Sequence, residues 1–142
     1  MVKMGGTQAL VTLRVDSENS VMLYGDKSGA LMSWDSKTGL VAIVAGRCGA
    51  AGLQDGSALE QARVGSNMRG LAVQTAVADD GLEMIQAVYF TDAEQHVLRR
   101  LQWVPAAEGT QMESVHIAQL LSEETVARAQ VVTLAGTASE PG

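Results

Sequence analysis

Aromatic residues are scarce in this chain: two Trp, two Tyr and one Phe make up 4% of its 142 residues. A core without them must be built from Val, Leu, Ala, Met and Ile, which suits packed sheet faces and argues against an aromatic-lined ligand box. Cysteine is rarer still. With Cys48 alone, no internal disulfide can form and no cluster of thiolate ligands exists, so a reducing, cytoplasmic location fits. Basic residues are outnumbered, 10 Lys and Arg against 16 Asp and Glu, and the resulting net charge of −6 disfavours a nucleic-acid partner, whose affinity would rest on neutralised phosphates. No apolar run approaches a membrane span, and the opening MVKMGG lacks the apolar centre of a signal peptide, so a soluble protein with no membrane partner is expected.

What the chain does contain is 46% hydrophobic residues, enough for one core, divided into short apolar stretches by turn residues. Val11, Leu13 and Val15 alternate with Thr12, Arg14 and Asp16 as a half-buried strand requires, which places a first strand at 10–15. Strands at 21–24, 30–34 and 40–45 follow, separated by the turns DSENS, GDKSG and DSKTG. Four more are predicted at 70–74, 87–92, 96–101 and 131–135. The two sets share an ending: VAIVAG at 41–46 and VVTLAG at 131–136. The expected fold class is all-β: two four-stranded antiparallel units in a single domain, over about 8–46 and 47–136, with insertions near 75–84 and 103–130 in the second. Within the later insertion, SEETVARAQ (122–130) has a capping Ser122 and acids in its first turn, which allows a short helix, whereas 115–121 reads equally as strand or helix.

The residues that could carry chemistry have structural readings beside them. Asp26 and Asp92 each end a strand where a turn begins, a position at which a short carboxylate accepts backbone N–H bonds; neither has a second carboxylate or His at a useful spacing for acid–base work or metal binding. Asp55-Gly56 marks a sharp turn, and Ser57 with Glu60 is spaced as a reciprocal capping pair. The segment GRCGAAG (46–52) has three glycines but lacks the Lys-Ser/Thr of a phosphate-binding loop. Cys48 has no local base to activate it, and His96 and His116 occupy unrelated contexts. Arg99 and Arg100 are adjacent on a strand and so point to opposite faces. No catalytic residue, cofactor or metal site is expected on these grounds.

In order and spacing, Ala45-Gly46, Asp55-Gly56, Ala62, Gly70-Leu71-Ala72-Val73, Tyr89-Phe90-Thr91-Asp92 and Leu98-Arg99 resemble the NHL repeat, and Ala135-Gly136 reopens the pattern. The Pro that usually precedes Gly-Leu-Ala-Val is absent from SNMR at 66–69, and Arg14 and Gly25 stand where the pattern prefers small or apolar residues. The resemblance implies a partial β-propeller of about two blades and the start of a third, acting as a protein-interaction scaffold. Two alternatives belong to the same resemblance: a piece of a lactonase-like propeller enzyme with a metal in its channel, and an RNA-binding module. Two blades cannot close a ring of four to eight, so the expected partners are a protein or further copies of the chain joined through open sheet edges, either as a homo-oligomer or within a larger propeller.

Overall fold

The computed structural model describes residues 7–14, 18–65, 68–77, 83–92, 96–103, 115–116, 125 and 127–135. Strands β1 (Thr7–Arg14), β2 (Ser20–Asp26), β3 (Ala30–Asp35) and β4 (Val41–Gly46) form one antiparallel sheet in chain order. The first strand starts three residues before its expected position, and Val15 lies outside the described residues. Turn chemistry sets the hairpins. Asp26 accepts the Ser28 hydroxyl at 3.1 Å, and Asp35 accepts the Lys37 amide at 2.9 Å while Gly39 closes that turn at a φ of +75°.

The second sheet repeats this plan. After β5 (Gly56–Ser57), strands β6 (Leu71–Val77), β7 (Glu83–Asp92), β8 (Val97–Trp103) and β10 (Ala129–Ala135) form the same antiparallel meander. β5 is added along the outer edge of β10, and β9 (Val115–His116) is added to β7. Among the described residues neither sheet closes into a barrel.

The two meanders share the irregularity of their last strand pair, whereas the slips in their first pairs, between Thr7 and Leu10 and between Gln74 and Thr75, fall at different places. In the first, the register between β3 and β4 slips between Leu31 and Met32, so that Leu31 pairs with Ala45 and Met32 with Ile43. In the second, the slip falls between Leu98 and Arg99, which pair with Ala135 and Thr133. VAIVAG and VVTLAG therefore match residue for residue, each with its bulge one position before the Ala. One face of the first sheet carries the cross-strand rows Leu10, Tyr24, Met32, Ile43 and Thr12, Met22, Trp34, Val41. The corresponding rows of the second sheet are Leu71, Phe90, Arg99, Thr133 and Val73, Val88, Leu101, Val131.

That face of the second sheet is the one that meets the first sheet. Leu13, Leu23, Leu31 and Val44 join Val88, Phe90, Leu101, Trp103 and Val131 in one buried cluster, with Val11, Leu71 and Val73 packed at its margin. Removing an aliphatic side chain from water stabilises by about 1.5–3 kcal/mol, but the core is not purely aliphatic: Phe90 and Trp103, two of the five aromatics, are among its largest fully buried side chains. The equivalent rows of the first sheet lie on its outer face, where Tyr24, Ala30 and Met32 form a separate small cluster with Trp34 and Ile43.

The two expected insertions are built against each other. The earlier one is no loose loop: it lengthens the hairpin, since Thr75–Val77 pair with Glu83–Ile85. β8 leaves the sheet at Trp103, and the later insertion returns as β9 to pair Val115 with Ile85 and His116 with Met84. Val115 and His116 are thus strand. Of the expected helix at 122–130, Thr125 and Ala127 have helical backbone and the Arg128 amide bonds to the Thr125 carbonyl at 3.1 Å; residues 122–124 and 126 lie outside the described residues, and Ala129 and Gln130 already belong to β10.

Candidate functional site

A dense polar constellation forms where the connection between the sheets crosses the packed face of the second. Alternation along β8 turns Arg99 inward and leaves Arg100 on the far face, bonded to Gln102 at 2.6 Å. Arg99 is wholly buried. Its guanidinium donates to the Arg63 carbonyl at 2.6 Å, the Gln54 carbonyl at 2.7 Å and Asp55 Oδ1 at 2.9 Å, and lies 5.9 Å above the Phe90 ring. Only Nε has no acceptor among the described residues. Asp55 also receives the Thr133 amide at 3.0 Å and hydroxyl at 2.9 Å, so it joins β8, β10 and the connection in one knot. Partial burial pushes the Asp55 carboxyl up, but the bonds from Arg99 and Thr133 outweigh it and hold its pKa below the ordinary value.

Such an arrangement orders the chain and leaves little for chemistry. The side chain of Asp55 is 45% exposed, yet both of its oxygens are engaged within the molecule. In sequence Asp55-Gly56 reads as a turn and Arg99 as one half of an unremarkable basic pair. Their union is visible there only as two positions of the repeat signature, and the missed clue is that an arginine on an inward strand position needs a counter-charge.

The other described signature residues are held within the fold. Ala45 and Ala62 are buried, Gly46 and Gly56 have φ of +88° and +137°, and Gly70 exchanges bonds with Thr91, its amide donating to the Thr91 hydroxyl at 2.8 Å. Ala135 ends β10, and Gly136 lies outside the described residues. Asp92 is buried against the backbone of Gly65, where any Cβ would collide with its carboxylate. The expected Ser57–Glu60 pair is not the one formed. The Ser57 amide bonds to Gln61 Oε1 at 3.0 Å, because the turn returns the Gln61 and Ala62 amides to the Ser57 carbonyl and so brings residue 61 over the start of the turn.

GRCGAAG is occupied by the fold. The amides of Gly46, Gly49 and Gly52 donate to the carbonyls of Ala58, Ser28 and Val64, so none of the three is free to cradle a phosphate. Cys48 is exposed at its tip. His96 is exposed in a turn at a φ of +58°, whereas the backbone of His116 lies in β9. Among the described residues no three His, Cys, Asp or Glu side chains converge as a metal site would require, and no helix is long and apolar enough to cross a membrane. The exposed large apolar side chains among the described residues are Leu10 and Val41, in the outer rows of the first sheet at 48% and 44% exposure, Leu40 just before β4 at 68%, and, elsewhere, Leu59, Val77 and Leu134. Comparison with protein-family models, with curated proteins and with solved structures finds no match to the chain.

Proposed function

We propose that the chain is a non-catalytic, propeller-like module that binds protein through the first sheet. One observation carries this reading: the polar groups best placed for chemistry, Asp55, Arg99 and Thr133, are spent on one another, whereas Leu10, Leu40 and Val41 present apolar surface to solvent. Because each sheet is one unit of a repeat, the outer face of the first corresponds to the face that the second buries, and it is suited to the same use. The resemblance to NHL repeats agrees with an interaction scaffold.

Site-specific photo-crosslinking tests this. With a benzophenone side chain at Leu10 or Leu40, expression in cells followed by irradiation should give adducts to one discrete protein or to the chain itself. A benzophenone at Gln74, on the far face of the second sheet, should give none. Equal labelling from all three positions, or none from Leu10 and Leu40, would refute the reading.

A further inference from the structure

The outer edge of β10 is covered by the chain's own connection: Gly56 and Ser57 pair with Val131 and Gln130, and the preceding Asp55 lays its side chain over Arg99 and Thr133. The matched register carries each of these positions onto the first sheet. Val131 corresponds to Val41 and Gln130 to Leu40, while Arg99 and Thr133 correspond to Met32 and Ile43. No described strand covers the edge of β4 at that place, and Leu40 and Val41 there are exposed large apolar residues. The first sheet therefore has the edge, the register and the bulge that hold β5 in the second, with the polar pair beneath replaced by an apolar one.

We propose that this edge binds a short extended segment of a partner protein, adding it antiparallel to β4 at Leu40–Val41 and seating an apolar side chain of that segment over Met32 and Ile43. The inference rests on the protein-binding reading and adds the chemistry of the bound segment. Strand addition explains why the backbone edge is open, since main-chain bonds give general affinity and one side-chain pocket gives selectivity. The side chain under selection follows from the template. At the equivalent site the incoming residue is Asp because Arg99 and Thr133 meet it with charge and hydrogen bonds. Over Met32 and Ile43 a carboxylate would lose water without gaining a partner, so an aliphatic residue is preferred.

The probe is a fluorescein-labelled synthetic peptide of residues 52–59 carrying Asp55→Leu, compared with the unaltered sequence by fluorescence anisotropy on the whole chain at fixed protein concentration. The Leu peptide should bind about 10-fold or more tightly than the Asp peptide, and Val41→Glu should weaken the Leu peptide about 10-fold. A second protein variant, Met32→Arg with Ile43→Thr, should shift the preference toward the Asp peptide. Equal binding of the two peptides to the unaltered chain, absence of binding, or insensitivity to Val41→Glu would overturn the proposal. If the peptides fail while crosslinks persist at Leu10 and Leu40, the protein-binding reading stands and only its strand-addition form falls.

Discussion

Asp55→Asn and Arg99→Met remove the same ion pair from opposite ends, and the structure assigns them unequal effects. Arg99 has no exposed side-chain surface, whereas the side chain of Asp55 is 45% exposed. Asp55→Asn keeps an oxygen for the guanidinium but leaves its charge buried without a counter-ion. Removing one member of a buried pair destabilises by about 3–5 kcal/mol, and the retained neutral acceptor and the open Asp55 side reduce this to about 2–3 kcal/mol. In Arg99→Met the residue left behind is the half-exposed carboxylate, which regains water and keeps both Thr133 bonds. The Gln54 and Arg63 carbonyls also keep partners, since each accepts the amide of the other residue, at 2.9 and 3.3 Å. Met is apolar and of similar length, and it is the residue at the matching position of the first sheet, so the expected loss is about 1 kcal/mol. Urea unfolding at pH 7 and constant protein concentration measures both, with midpoints separated by roughly 3–8 °C in a parallel thermal scan. The double variant should resemble Arg99→Met alone. If Arg99→Met proved the more damaging, the argument from burial would be wrong.

The lowered pKa of Asp55 gives a stability contribution that is fully present above its unfolded value near 3.8 and is lost as pH falls through the lower folded value, so the gap between the natural chain and Asp55→Asn should be constant near neutrality and shrink below about pH 4. A gap that widened in acid would reverse the assigned sign. Gly46→Ala should destabilise by about 3 kcal/mol, because a Cβ at φ +88° would stand 2.6 Å from the Gly29 carbonyl oxygen. Gly39→Ala, at φ +75° with nothing within 4 Å, should lose only about 1 kcal/mol, and denaturant midpoints in the opposite order would contradict the contact argument.

Much of the architecture was legible because it depends on local chemistry. Alternation at Val11–Leu13 and turn signals at Asp26, Asp35 and Gly39 fix hairpins between neighbouring strands, and the repeated VAIVAG and VVTLAG foretell equivalent fourth strands. The parts not foreseen depend on distant pairing. Nothing near Thr75 announces that it continues a strand, because its partner Ile85 lies beyond the intervening segment and β9 arrives from residue 115. The Asp55–Arg99 pair escaped for the same reason: 44 residues separate two polar side chains that look solvated until the strand register turns one of them inward.

The covering of β10 by β5 also orders the assembly of the chain in time. A ribosome releasing this sequence has delivered all four strands of the first sheet by Gly46, each pairing with its predecessor over a short loop. The second sheet cannot gain its last strand until Ala129–Ala135 has emerged, and Thr133 reaches Asp55 across 78 residues. Until then the linker has no edge to pair with. Closing so long a loop pays its entropy before any bond returns it, so the contact is necessarily a late one. The Asp55 knot thus acts as a latch on the second sheet, set when β10 pairs beside β8.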